Sequence, residues 1–285
     1  MKKNNSTSNT ILSFVAFFAL TTSLNALALG QLMVSPTRVV FEGNERTKQI
    51  NVINNGAETG RFRISFVRRN MNADGKIKEI DKDEPGLYSD GMVRFSPRQV
   101  TLEPGQSQVV RLLLRKKRGT DDGEYRSHMM FQSLPDPAAS DVSKLANAQT
   151  EKLTISLIPV VGITIPVIVR QGNLDAKVSL SDFEIKHGNA VNAKSILSLK
   201  INREGTRSAY GDFRVYFTPK GGTPVTIGSI NGVAVYTSTT SRVLDINLQT
   251  PKNFSLSNGE LRVTYLESGK NEKSGLIAEA RLATP

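Results

Sequence analysis

The chain has 285 residues, and its 37 lysine and arginine residues against 26 aspartate and glutamate residues give a formal charge of +11. It has no cysteine, no tryptophan and two histidines. Thiolate nucleophiles, thiolate metal sites and disulfides are therefore excluded, and little material remains for a zinc site or a histidine-based triad. The apolar fraction of 38% is typical of globular proteins and the length favours two domains. The composition thus indicates a binding protein without a cofactor, not an enzyme.

Residues 1–30 are predicted to be a signal peptide that is cleaved on export. A Met-Lys-Lys start precedes an apolar run at 11–20, and small residues at cleavage spacing end at Gly30. The alternative is an uncleaved membrane anchor, but the run is shorter than the roughly 20 apolar residues that cross a bilayer. No later segment is long and apolar enough to do so. We therefore expect an exported protein with no stable membrane anchor.

Period-two alternation of apolar and polar residues predicts strands in the first half of the chain. In residues 61–66 the even positions are apolar and the odd ones polar, as one buried and one wet sheet face require. Further strands are predicted at 34–41, 47–53, 92–95, 110–115 and 125–134. Asn-Gly, Asp-Gly and Pro-Gly turns separate them. Short strands punctuated by turns, with no 3.6-residue apolar stripe, predict an all-β fold made of β-sandwiches.

A composition change divides the chain into two parts. Residues 135–152 are rich in Pro, Ala, Ser and Asn and are predicted to form a flexible surface loop before a long apolar strand at 153–170. A second strand-rich region follows, with strands predicted at 176–180, 194–203, 212–218, 239–248 and 259–267. We therefore expect two sandwich domains in series, at 31–170 and 171–285.

The strand at 153–170 is the most apolar segment after the signal peptide. One row of alternating side chains contains Ile155, Leu157, Val161 and Ile163. A fully buried central strand is one interpretation of such a row. The other is an exposed edge, which would be an aggregation template unless a partner covers it. A chaperone could add such an edge to an incomplete sheet of its client, and we expect these four side chains to enter the client's groove.

Two prolines interrupt this strand at opposite parity. Proline lacks an N–H and is suited to an edge, a strand end or a bulge. In one regular strand, the missing donors of Pro159 and Pro166 would face opposite neighbours. The spacing predicts a bulge or kink between the two prolines, near Gly162.

Three segments of the first half together resemble the periplasmic chaperones of the chaperone–usher pilus pathway, the PapD-like family. They are 35–43 (SPTRVVFEG), 95–111 (with LEPGQSQ at 102–108) and 123–135 (with GEYR and LP at its ends). The resemblance implies two immunoglobulin-like domains in a boomerang arrangement with a cleft between them. It also implies periplasmic capture of pilus or fimbrial subunits and their delivery to an outer-membrane usher, without catalysis.

The resemblance also implies a site in the cleft. In the family, an arginine at the position of Arg38 and a lysine bind the carboxyl terminus of the subunit, and a guanidinium suits this task because its planar fork contacts both oxygens. The alternative for Arg38 is a fold-stabilising salt bridge with Glu42 or Asp182.

The family's lysine is replaced here, because its position is occupied by Pro166. Either another cation substitutes, for which Arg126 is the candidate, or Arg38 acts alone. Arg170 is predicted to be structural and to pair with an acidic residue across the domain boundary.

Other functions are less well supported. A structural pilus or adhesin component built from the same sandwiches is the alternative, but a subunit of that kind would lack its last strand. A polysaccharide-binding sandwich would need exposed aromatic platforms, and no tryptophan is present. The basic run at 115–118 has no stacking aromatics nearby, so we expect no nucleic-acid partner. His128 and His187 have no second ligand at metal-binding spacing.

Overall fold

The structure is a computed structural model that describes residues 32–135, 160–186, 195–249 and 256–284. The predicted signal peptide, nearly all of the loop predicted at 135–152, His187 and the predicted client-binding residues Ile155 and Leu157 lie outside the described residues.

The first domain consists of short strands, as the alternation predicts. In chain order they are β1 (Leu32–Ser35), β2 (Val39–Phe41), β3 (Thr47–Asn54), β4 (Gly60–Val67), β5 (Arg69–Met71), β6 (Ile77–Glu79), β7 (Val93–Ser96), β8 (Gln99–Leu102), β9 (Ser107–Leu114), β10 (Gly123–Leu134) and β11 (Gly162–Gln171).

These strands form a sandwich of two sheets, with strand orders β1-β3-β9-β7 and β2-β11-β10-β4-β8, and β5 and β6 form a separate hairpin. Residues 36–38 break the first predicted strand, so that β1 lies at the edge of one sheet and β2 at the edge of the other. Alternate side chains of both sheets fill the core, as sandwich packing requires. Its fully buried members include Phe41, Ile50, Leu112, Phe131 and Val167.

The second domain begins with β12 (Ala176–Lys186), and continues with β13 (Ile196–Gly205), β14 (Ala209–Pro219), β15 (Val225–Val235), β16 (Ser241–Asn247), β17 (Gly259–Glu267), the one-turn helix α1 (Glu272–Gly275) and β18 (Leu276–Thr284). Its sheets have the orders β12-β13-β16 and β15-β14-β17-β18. A second core lies between these sheets, and Phe213 and Tyr265 stack in it with ring centroids 4.3 Å apart.

The predicted all-β fold with two sandwiches in series is confirmed, but the prediction of individual elements was incomplete. No strand was predicted at the positions of β5, β6, β8, β15 and β18. The bulge predicted near Gly162 is wrong, because β11 pairs with β10 in one regular register from Gly162 to Gln171. Pro166 fits this register since its missing N–H faces away from β10. Within the described part of the chain, no helix has the length and apolarity needed to cross a membrane.

Candidate functional site

The two domains meet at the outer face of the sheet that contains β2, β11 and β10. Met71 and Ile168 of the first domain are buried in one small cluster with Ala234 and Tyr236 of the second. Alternate residues of β10 face this interface and are buried, namely Glu124, Arg126 and His128. The interface therefore combines an apolar contact with several ionisable groups.

Arg38 reaches the second domain from the break between β1 and β2. Its Nη2 donates a hydrogen bond to Oγ of Ser208 over 3.4 Å. Its guanidinium carbon lies 4.4 Å from the ring centre of Tyr210 and 5.8 Å from that of Tyr236. Both distances are in the range of cation–π attraction.

The alternative salt bridges of Arg38 are not formed. Glu42 pairs with Arg170, and Asp182 lies 3.7 Å from the ammonium of Lys200. No carboxylate among the described residues lies within 4 Å of the Arg38 guanidinium. Arg38 is thus a cation whose partners are neutral.

The Arg38 guanidinium also has a hydrogen-bond donor that is not satisfied. Its Nη1 is buried and has no hydrogen-bond partner. Burial lowers the pKa of Arg38, although a guanidinium still keeps its proton at neutral pH. A buried donor and an unpaired charge both cost free energy, and an anion that reached Nη1 would remove both costs.

Arg170 is paired within its own domain, so the predicted pairing across the boundary is wrong. Its Nε donates to Oε2 of Glu124 over 3.0 Å, and its Nη1 contacts Glu42. The antiparallel register explains this, because Glu124 is directly opposite Arg170. The boundary is crossed by Glu124, whose Oε2 also accepts hydrogen bonds from the Ser208 amide (3.1 Å) and hydroxyl (2.9 Å).

Arg126 is buried in the domain interface. Its guanidinium carbon lies 3.8 Å from the ring centre of Tyr236. Its Nη2 donates to the carbonyl of Arg69 (3.1 Å) and to Oγ of Ser238 (3.3 Å), whereas its Nη1 is buried without a partner. Burial lowers the pKa of Arg126. Unlike Arg38, Arg126 is not among the residues that line the cleft between the domains.

His128 lies beside the same ring, edge-on to Tyr236 with centroids 6.3 Å apart. Both ring nitrogens are buried without hydrogen-bond partners. Burial, followed by repulsion from Arg126, Arg69 and Arg38, lowers the pKa of His128 to about 3. The ring is therefore neutral at physiological pH. No group of three His, Asp or Glu side chains that could hold a metal ion occurs among the described residues.

A cleft of about 490 Å³ opens between the two domains. Its polar walls carry two carboxylates and three guanidinium groups. From the first domain come Arg38, Glu42 and Arg170, and from the second Arg207, Tyr210 and Glu267.

The strand predicted to contact a client ends at this interface. β11 pairs with β10 along its whole length on one side, but on the other side β2 covers only Val167–Val169. The amide of Ser133 donates to the carbonyl of Val161 over 2.9 Å, so the odd residues of β11 bond to β10. The N–H and C=O groups of Gly162 and Thr164 then point to the other side, where no described strand pairs with them.

The side chains along β11 follow the same alternation. Ile165 and Val167 are buried in the core, and Ile163 is half-buried against it. Val161 is 53% exposed. Among the described candidates for the client groove, Val161 is thus the one whose side chain is free of the sandwich.

Four residues of the site were not predicted from the sequence, because they lie in the second domain, where no motif was found. They are Arg207, Ser208, Tyr210 and Tyr236. The only available signal was the local sequence Thr-Arg-Ser-Ala-Tyr at 206–210, in which a cation and three hydroxyl groups follow a strand end.

Fold and site together define a protein of two β-sandwich domains with an arginine-rich cleft between them. No protein-family model and no curated protein matches the chain. Several solved chaperones are similar to it in structure. The YadV chaperone has 12% identity and a TM-score of 0.43, over 88% of this chain and 99% of that one.

The chaperone DraB of E. coli has 14% identity and a TM-score of 0.42, over 90% of this chain and 97% of that one. The class 5 fimbriae chaperone CfaA has 16% identity and a TM-score of 0.39, over 90% of this chain and all of that one. The chain resembles these chaperones in fold.

Proposed function

We propose that this protein is a periplasmic chaperone that binds pilus or fimbrial subunits by lending them a strand and delivers them to an outer-membrane usher, without chemical turnover. The observation that carries the proposal is the unpaired edge of β11. β11 runs from this edge to Arg170, which lines the cleft together with Arg38, so one extended subunit segment could contact both.

The edge has the two properties that strand addition needs. Its main chain has hydrogen-bonding groups at Gly162 and Thr164 that no described strand pairs with, and a strand of another protein could pair with them. Its side chains form an apolar row of one parity that begins in the core at Ile165. Val161 continues this row outside the sandwich, and Leu157 has the same parity. An incomplete sandwich could accept the row in place of its own missing strand.

The apolar row is expected to supply most of the binding free energy. Burial of one such side chain contributes about 1.5–3 kcal/mol. Ile155, Leu157 and Val161 could together hold a subunit firmly, whereas Ile163 already packs against the chaperone's own core.

Arg38 is proposed to bind the carboxyl terminus of the subunit. It lines the cleft, lacks a carboxylate partner among the described residues, and has an unsatisfied Nη1. A chain-terminal carboxylate would neutralise the guanidinium and accept from this nitrogen. It would also fix the register of the subunit on the β11 edge, because the register of a two-stranded pairing needs one fixed point.

The alternative of a structural pilus or adhesin component is less well supported. A subunit that awaits a donated strand would have a gap between the edges of its sandwich. The first domain has no such gap beside β10, since β11 fills this position and β2 covers part of its outer edge.

The proposal is tested by co-expression with a pilin encoded in the same gene neighbourhood. The double substitution Leu157→Asp with Val161→Asp should abolish recovery of the equimolar complex, because two charges would enter an apolar groove. Capture is measured by affinity purification and size-exclusion chromatography.

Val160→Asp is the matched control. Val160 is 50% exposed, similar to Val161, but has the opposite parity, so its side chain should stay out of the groove. This variant should still capture the subunit. Recovery of no complex with the unmodified chain, or equal capture by both variants, would contradict the proposal.

A further inference from the structure

The outer face of the sheet β1-β3-β9-β7 is positively charged. The four strands contain no aspartate or glutamate at any position. Arg94 of β7 and Arg111 of β9 are both exposed. The register places Arg94 opposite Leu113, two residues from Arg111 along β9, so the two arginines are diagonal neighbours on one face.

The basic run at 115–118 extends this positive face beyond the end of β9. The amide of Arg115 donates to the carbonyl of Met92, just before β7, over 2.7 Å. Nζ of Lys116 donates to Oε1 of Gln171, at the end of β11, over 2.8 Å. The run is therefore attached to both sheets of the sandwich, while its other three side chains are exposed.

The exposed cations of the face and the run have no acidic partner among the described residues. They are Arg94, Arg111, Arg115, Lys117 and Arg118. Of the acids nearest in sequence, Glu45 pairs with Lys48. Asp121 and Asp122 follow the run, and Asp122 lies against Gly172 after the end of β11. The face and the run together thus keep a net positive charge.

Apolar side chains lie between these cations. Val109 and Leu113 are each 36% exposed on β9, and Met33 is exposed on the edge strand β1. They lie on the outer face because the alternate residues of β9, such as Val110 and Leu112, are buried in the core. None of the three lines the cavity between the domains. The face is therefore an open sheet surface that combines cations with single aliphatic side chains.

We infer that this face binds the surface of a membrane that contains anionic phospholipid. Arginine and lysine side chains are attracted to the phosphate groups of such a surface, and aliphatic side chains can enter the boundary between headgroups and acyl chains. An acidic protein partner is less favoured, because an open sheet face offers no groove to a shaped ligand, whereas long cationic side chains can reach a plane of phosphates.

The orientation of the first domain agrees with this inference. The second domain contacts the outer face of the other sheet, which contains β10 and β11. The membrane-binding face is on the opposite side of the sandwich, so the cleft and the open edge of β11 would stay accessible. The inference goes beyond the proposed function and does not depend on the capture of a subunit.

The test is co-sedimentation of the protein with vesicles of equal parts phosphatidylcholine and phosphatidylglycerol. Residues 1–30 are removed, as predicted for the exported form, because their apolar run would itself enter lipid. The protein should bind these vesicles and not vesicles of phosphatidylcholine alone. Raising sodium chloride from about 0.05 M to about 0.5 M should weaken the binding about tenfold or more.

Arg111→Gln with Arg115→Gln should weaken binding to the anionic vesicles about tenfold or more, because two cations leave the face. Lys177→Gln with Lys220→Gln is the matched control. It removes the same charge from exposed positions of the second domain and should bind like the unmodified protein.

A dye shows which face contacts the lipid, since the chain has no cysteine of its own. Leu113→Cys labelled with a polarity-sensitive fluorophore should shift its emission to the blue with anionic vesicles. Val243→Cys, at an exposed valine of the second domain, should not.

Three results would overturn the inference: no binding to the anionic vesicles, equal binding to neutral vesicles, or an equal loss in the two double variants. An emission shift at position 243 and not at 113 would also contradict it. Binding of poly-glutamate without binding of the vesicles would assign the face to an acidic protein partner and would exclude the membrane.

Discussion

At the scale of residues, guanidinium groups at the domain interface contact aromatic rings where carboxylates would be the usual partners. Arg38 lies over Tyr210 and Arg126 over Tyr236. A ring face attracts a cation without neutralising it, so each of these arginines keeps its positive charge. This distinguishes the Arg38 environment from that of Arg170, whose charge is already compensated by Glu124.

His128 should make the stability of the protein depend on pH. Its pKa is about 3 in the folded state and about 6.5 in an unfolded chain. As the pH falls below about 6.5, the unfolded chain binds a proton that the folded protein does not. The free energy of unfolding should then decrease by up to about 1.4 kcal/mol per pH unit.

His128→Phe should remove this contribution, because phenylalanine keeps a ring beside Tyr236 and does not titrate. Urea denaturation at pH 7 and pH 4.5 measures the effect. Between these values the unmodified protein should lose about 2–3 kcal/mol more than the variant. Carboxylates such as Glu279, whose pKa is lowered to about 2 by Arg262, titrate in both proteins and cancel in the comparison. Parallel pH profiles would contradict the prediction.

At the scale of elements, β11 combines two roles in one register. Its odd residues bond to β10 and its even residues face the open side, so the strand is part of a core and also an available edge. The sequence predicted a strand at 153–170, and β11 occupies Gly162–Gln171, in the second half of that segment. The bulge was wrongly predicted because the sequence does not tell which neighbour each proline faces. The structure has β2 only at Val167–Val169, and the missing donor of Pro166 lies just before it.

Proline substitutions should distinguish the role of the open edge of β11 from that of the edge paired with β10. Gly162→Pro removes an N–H that points to the open side, and a Cβ at this position meets only ordinary contacts. The variant should keep its Tm but bind a subunit about fivefold more weakly, the equivalent of one net hydrogen bond. Val161→Pro removes the donor that bonds to Oγ of Ser133 and should lower the Tm.

Thermal denaturation and competition for a limiting amount of subunit measure the two effects. The opposite pattern, with the larger loss of Tm in Gly162→Pro, would mean that β11 is oriented the other way round.

At the scale of the whole molecule, the alternation predicted two sandwiches and the family resemblance implied a cleft between them, but neither identified the residues of the second domain that join the two. Arg38 was found because it lies in a segment with a family resemblance. Arg207, Ser208 and Tyr236 were not, because their importance depends on a contact between domains that are distant in sequence. The hydrogen bond from Arg38 to Ser208 links residues 170 positions apart. No local periodicity contains such information.

Glu124 should couple the unfolding of the two domains. Its side chain is fully buried, and its Oε2 accepts from Arg170 of the same domain and from the amide and hydroxyl of Ser208 of the other. Glu124→Ala leaves the Arg170 guanidinium and the Ser208 donors without this acceptor. Breaking a buried pair in this way costs about 3–5 kcal/mol.

The loss falls on the contact between the domains, so we expect one cooperative thermal transition in the unmodified protein and two in Glu124→Ala, measured by calorimetry. Arg281→Ala is the control, because its ion pairs with Glu260 and Glu279 are exposed and contribute less than about 1 kcal/mol. It should keep the single transition. If Glu124→Ala also unfolds in one step, the domains are coupled through the apolar cluster around Tyr236 and not through this carboxylate.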